Sequence, residues 1–226
     1  TGAGARSVFG LDVTTPSTFA ASNVLWEFND QDDTDMGYGI TVPSLPTITA
    51  DGKWVVAFGN GYNSARGHAE LFILDALNGT RVAEIDTNIG GTNASANCKL
   101  ASGPTDCPNG LASAVIVDSD IDGTGDAIYA GDYLGNLWKF TCNPDTTPLT
   151  AGHPVHVCTT AWQLGHGGQP LIKAQDAAGN RQPITSGVYA IHNPLGGTLV
   201  YFGTGKYLAT EDADPASSTL INAIYA

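Results

Sequence analysis

The stretch Asp118-Ser119-Asp120-Ile121-Asp122-Gly123-Thr124-Gly125-Asp126 organises the reading of the whole chain. Four carboxylates fall at positions 1, 3, 5 and 9 of a loop, with a glycine at position 6. A calcium ion takes six to eight hard oxygens at about 2.3–2.6 Å, and alternate residues of a tightly curled loop can aim side chains at one point. The spacing therefore predicts calcium ligands at Asp118, Asp120, Asp122 and Asp126, with Thr124 contributing its backbone carbonyl. Gly123 and Gly125 permit the tight path. The pattern is that of an EF-hand loop as far as position 9. Position 12, which an EF-hand fills with a bidentate glutamate, is Tyr129 here. An acidic surface turn is the competing reading, since Asp and Gly are also turn residues. Four Asp in this register favour the ion.

The flanks are short apolar runs, Ala112 to Val117 and Ala127 to Gly131. Neither has a helical period or a helix cap, so the loop joins two strands.

Those strands belong to a repeat. Val55-Val56-Ala57-Phe58-Gly59-Asn60-Gly61 resembles Ala127-Ile128-Tyr129-Ala130-Gly131-Asp132 and Leu199-Val200-Tyr201-Phe202-Gly203-Thr204-Gly205, and the shared glycines Gly59, Gly131 and Gly203 are spaced by 72 residues. Another apolar strand precedes each: Leu45 to Thr49, Leu111 to Val117, and Ile184 to Ile191. A turn and a third strand follow each: Glu70 to Asp75, Leu137 to Thr141, and a short one at Lys206-Tyr207-Leu208. A fourth strand, Thr80 to Ile85, follows the Asn78-Gly79 turn. Ser7 to Asp12 and Val24 to Phe28 read as the last two strands of an earlier unit. Antiparallel strands in a long fixed period predict an all-β fold, a modified β-propeller over residues 1–226 or part of one. Trp26, Phe28, Trp138 and Phe140 alternate with Glu27 and Lys139, as on a half-buried strand.

Composition agrees with this class. The chain has 226 residues, 42% of them hydrophobic, with no run of the ~20 apolar residues that a membrane helix needs. The opening Thr1-Gly2-Ala3-Gly4-Ala5-Arg6 reads as the interior of a longer chain. A net charge of −13 repels phosphate backbones and argues against nucleic-acid binding. The cysteines are Cys98, Cys107, Cys142 and Cys158. Neither close pair has zinc-knuckle or redox spacing. Three connectivities are open, and the local one, Cys98–Cys107 with Cys142–Cys158, closes loops that lack apolar anchors. Disulfides place the chain in an oxidising compartment.

No catalytic motif is visible. There is no His-Glu-x-x-His, no Gly-x-Ser-x-Gly elbow and no phosphate-cradling loop that enters a helix. His68, His153, His156, His166 and His192 read as ordinary loop histidines. Asp30-Gln31-Asp32-Asp33-Thr34-Asp35, irregularly spaced and without glycine, reads as a solvated loop. Residues Thr87 to Asn109 and Asn143 to Gly168 read as insertions.

From Asp118 to Phe140 the pattern Asp-x-Asp-x-Asp-Gly-x-Gly-Asp-x-x-Tyr-x-Gly-Asp-x-x-Gly-Asn-Leu-Trp-Lys-Phe resembles the calcium-loop and hairpin signature of the PilC/PilY family, the tip-associated adhesins and biogenesis factors of bacterial type IV pili. Gly10 to Thr14, Leu25 to Phe28, Asp35 to Tyr38, Phe58 to Tyr62, Gln182 to Thr185 and Val200 to Tyr207 extend the resemblance over nearly the whole chain. The two Cys loops match nothing in it. The resemblance implies a C-terminal β-propeller with one Ca2+ on a blade loop, no enzymatic activity, and calcium occupancy tied to pilus extension, retraction and surface attachment. Implied partners are minor pilins of the pilus tip complex and a host or abiotic surface. The implied location is the bacterial cell surface or pilus tip, outer membrane or periplasm. Roughly three repeats fall short of a closed propeller's four blades, so further blades are expected outside this sequence. Two other readings fit a calcium-bearing propeller: a quinoprotein-like dehydrogenase, and an extracellular glycan- or matrix-binding domain unrelated to pili.

Overall fold

The computed structural model describes residues 5–39, 41–93, 98–142, 161–208, 212 and 221–226. The strands are β1 (Ser7–Leu11), β2 (Val24–Asn29), β3 (Thr47–Ile48), β4 (Trp54–Gly59), β5 (His68–Asp75), β6 (Arg81–Gly90), β7 (Leu111–Val117), β8 (Ala127–Asp132), β9 (Asn136–Thr141), β10 (Gln163–Leu164), β11 (Ile172–Lys173), β12 (Tyr189–His192), β13 (Thr198–Gly203) and β14 (Ile224–Tyr225). They form four antiparallel sheets: β1-β2, β3-β4-β5-β6, β7-β8-β9-β10 with β11 also on β9, and β12-β13-β14. Each sheet takes its strands from one continuous part of the chain, in sequence order, which is the organisation of propeller blades.

Strand alternation explains how the sheets stack. In the second sheet Val56, Phe58, Phe72 and Leu74 pack with Val8 and Phe28 of the first sheet. Their neighbours in sequence, Val55, Ala57, Leu71 and Ile73, point the other way, onto Leu111, Ile128, Trp138 and Phe140 of the third. Ala127, Tyr129 and Leu137 then carry the third sheet onto Val188 and Phe202 beside the fourth. Central strands covered on both faces lose the polar half of their alternation, and this is why residues 55–58 of β4, 71–74 of β5 and 127–130 of β8 read as unbroken apolar runs. Trp138 and Phe140 are accordingly buried rather than half-buried.

Two of the repeat glycines, Gly59 and Gly131, have a shared cause, while Gly203 has open space around it. A Cβ at Gly59 would collide with the backbone carbonyls of Leu111 and Ala112, and one at Gly131 with the Ile184 side chain. These are the points where one sheet hands over to the next. The residue after each glycine makes the splice. The Asn60 side-chain oxygen accepts from the Leu111 amide (2.9 Å), and the Asp132 carbonyl accepts from the Ile184 amide (2.9 Å). Thr204, after Gly203, joins its Oγ1 to the Ala223 amide (2.8 Å).

Several strand expectations are corrected. No strand forms at Lys206 to Leu208; β14, farther along the chain, takes the place beside β13. Ile184 lies outside β12 and makes an isolated parallel bridge to Gly205. Residues 87–90 continue β6 rather than starting an insertion, and the segment after Asn143 supplies β10.

Candidate functional site

The acidic loop joins β7 to β8, and both ends are fixed. The Asp126 amide donates to the Val117 carbonyl (3.1 Å), continuing the β7–β8 ladder, and Thr141 Oγ1 donates to the Asp126 carbonyl (3.1 Å). The Gly125 amide donates to the carbonyl of Ile48 on β3 (2.9 Å), so the loop is also tied to the preceding sheet. A Cβ at Gly125 would press on Ile116 and Thr47 (2.6 and 2.9 Å). Ile121 and Gly123 hold positive φ, 66° and 93°, where the loop doubles back. That conformation suits Gly123 and is unusual for isoleucine.

The curl is wound around Asp118. Its Oδ1 accepts the amides of Ile121 (2.6 Å) and Asp122 (3.1 Å), and its Oδ2 accepts that of Gly123 (2.8 Å). Asp126 is buried and takes the amide and hydroxyl of Ser119. Burial pushes the Asp126 carboxyl up to about 6; the Ser119 bonds oppose this, and the charges of Asp120 and Asp118 add to it. One oxygen from each of Asp118, Asp120 and Asp126 lies within 4.8 Å of the other two, a group that could hold a metal ion. Asp122 is not part of that group. Its Oδ1 is turned onto the Thr124 amide and hydroxyl, both at 2.7 Å. Tyr129, at the EF-hand's twelfth position, is committed to the core between the third and fourth sheets.

Cys98 and Cys107 are joined, with Cα atoms 5.8 Å apart. Cys142 is buried at the end of β9, and Cys158 lies outside the described residues, as do His153 and His156.

Two expectations fail at a second polar cluster. His68 is no loop residue: it opens β5 and places Nδ1 2.9 Å from Asp86 Oδ2. The Asp30–Asp35 segment is not simply solvated either, because Asp35 is buried and pairs with Arg66 Nε (2.6 Å) while Asp33 pairs with Arg81. Glu70, wholly buried on β5, joins His68 and Asp86 in a second group with metal-ligand spacing. Burial pushes the Glu70 carboxyl up to about 8, with Asp35 and Asp86 adding to the rise and Arg66 opposing it. The sequence signal was His68-x-Glu70, two residues on one strand face; the cross-strand partner Asp86 could not be read without the register.

Asp132, also overlooked, is fully buried and accepts from the Leu134 and Asn136 amides, Asn109 Nδ2, Asn136 Nδ2 and Trp138 Nε1, all at 2.8–3.0 Å. Burial raises its pKa and the side-chain donors oppose the rise. Five donors suit an ionised structural anchor. Between the third and fourth sheets runs an apolar groove past Leu45, Val115, Val188, Tyr189 and Phe202, with no acid, imidazole, thiol or amine in its lining. No helix among the described residues is long and apolar enough to cross a membrane.

A family model for the PilY1 beta-propeller domain matches residues 1–226. A type IV pilus biogenesis factor PilY1 homolog of Xylella fastidiosa is 40% identical over 214 residues, covering 94% of this chain and 14% of that protein. The type IV pilus biogenesis factor PilY1 of Pseudomonas aeruginosa strain PAK is 35% identical over 217 residues, covering 93% and 17%. The crystal structure of the Pseudomonas aeruginosa PilY1 C-terminal domain aligns with a TM-score of 0.74 at 34% identity, over 94% of this chain and 41% of that one. The chain thus spans a small part of these relatives and less than half of the crystallised domain. With its sheets in sequence order, its stacked cores and this match over its whole length, the chain belongs to the PilY1 β-propeller family.

Proposed function

We propose that this chain is a non-enzymatic, calcium-binding propeller region of a protein acting at the type IV pilus tip, in pilus biogenesis and surface adhesion. The observation that carries the calcium part is the convergence of Asp118, Asp120 and Asp126 within 4.8 Å on a loop fixed at both ends. The donors are all hard oxygens, the set that Ca2+ takes in preference to softer metals. Three carboxylates this close repel one another, and the charges of Asp120 and Asp118 act on the buried Asp126 in the same sense as its burial. A divalent ion offsets them. Asp122 and the Thr124 carbonyl complete the shell after a turn of the Asp122 side chain. The pilus part is supported by family membership and by the pilus biogenesis factors among its relatives.

Ion binding stabilises the loop by linkage, and so pins β7–β8 against β3. In a pilus-tip protein such a clamp makes the shape of the assembled propeller depend on extracellular calcium. The test is the full-length protein carrying Asp120→Ala with Asp126→Ala, expressed in its own bacterium in place of the wild type. Surface piliation and twitching motility should change relative to wild type at equal protein level. Identical piliation and motility would overturn the assignment.

A further inference from the structure

The second polar cluster has an imbalance that its own residues do not resolve. Glu70 is fully buried on β5, and neither carboxylate oxygen takes part in a hydrogen bond. Oε1 lies 2.9 Å from Arg66 Nη2; Oε2 accepts nothing. Directly across the β5–β6 ladder from Glu70 stands Asp86, another carboxylate. Like charges facing each other on a sheet destabilise it unless a cation lies between them. Arg66 meets part of this need, yet its guanidinium is shared among Asp35, Glu70, Glu84 and Asp86, and Arg81 is occupied by Asp33 and Glu84. Five carboxylates therefore surround two guanidinium groups. A buried carboxyl oxygen left without a partner is destabilising.

We propose that His68, Glu70 and Asp86 form a second divalent-cation site, separate from the Asp118 loop and of the Zn2+ class. One ligand atom from each of the three already lies within 4.8 Å of the other two. An imidazole with two carboxylates suits Zn2+ and its neighbours, whereas Ca2+ takes oxygen alone. Bonds of about 2.0–2.1 Å in a tetrahedron put ligand atoms about 3.3 Å apart. His68 Nδ1 sits 2.9 and 3.1 Å from the two Asp86 oxygens, so this pair needs a few tenths of an ångström of opening to reach ligand spacing. The surroundings also fit. Asp86 Oδ1 is oriented by the Asn88 amide (2.6 Å), and Arg66 holds Glu70 through Oε1, leaving Oε2 for the metal. The His68 and Asp86 side chains are 24% and 18% exposed, which gives the ion an entry path and a solvent ligand in the fourth position. This site does not rest on the pilus reading.

The test is a Zn2+ titration by calorimetry on the chelator-stripped protein, run beside His68→Gln, Glu70→Gln and Asp118→Ala. The wild type should take up a saturable equivalent of Zn2+ that weakens about tenfold or more in His68→Gln and Glu70→Gln. Asp118→Ala should retain it. Should Glu70→Gln fail to fold, the half-buried His68→Gln decides alone. No saturable uptake by the wild type, uptake unchanged in His68→Gln, or uptake lost in Asp118→Ala would overturn the proposal.

Discussion

At the scale of single residues, three buried carboxylates solve the problem of burial in three ways. Asp132 is held by five donors and anchors a turn; Asp126 takes the amide and hydroxyl of Ser119 and faces two other acids; the Glu70 carboxylate has the Arg66 ion pair and no hydrogen bond. The first is structural, because its satisfaction is internal. Asp132→Ala leaves the Asn109, Asn136 and Trp138 donors facing a void, at a cost of at least ~3 kcal/mol by the penalty for unsatisfied buried groups. Denaturant unfolding measures this, and a loss below ~1 kcal/mol would show that water replaces the carboxylate. In the sequence Asp132 is only the last residue of the Ala127–Asp132 repeat, and the convergence of Asn109 from another loop distinguishes it. The same limit hid Glu70, whose partner Arg66 and like-charged neighbour Asp35 come from turns that no periodicity locates. The Asp118 loop was legible because its donors are contiguous.

At the scale of elements, the glycine repeat carries the packing. Gly59→Val pushes a side chain onto the Leu111 and Ala112 carbonyls, which the β4–β7 approach leaves no room to move. It should destabilise the fold by about 1–3 kcal/mol as overpacking. Gly203→Ala, with nothing within 4 Å, should stay within about 0.5 kcal/mol of wild type. Equal melting temperatures for the two variants would sink this account of the repeat. The strands around Gly59 and Gly131 were readable because burial on both faces writes an unbroken apolar run. The fourth sheet was not: β13 keeps the motif, but its partner β14 is two residues long and enters only after residues 209–220. The β10 and β11 strands, also two residues each, pair β9 without any alternation long enough to detect.

At the scale of the whole molecule, the proposed calcium loop matters because of where it lies. It closes the β7–β8 hairpin and holds β3 of the sheet before it through the Gly125 amide. An ion there stabilises an inter-sheet contact as well as a turn, which links a local charge event to the propeller's rigidity. The family, the all-β class and the loop's position between strands could all be read from sequence. Asp122 facing Thr124 instead of its fellow acids could not, because side-chain direction within a loop depends on local hydrogen bonds rather than on spacing. The most direct measurement is a calorimetric calcium titration of the chelator-stripped protein beside Asp118→Ala, with melting temperatures taken on the same samples. The account predicts saturable binding and a higher melting temperature with calcium in the wild type, with both lost in the variant. The same heat and the same melting shift in both proteins, or neither in the wild type, would contradict it.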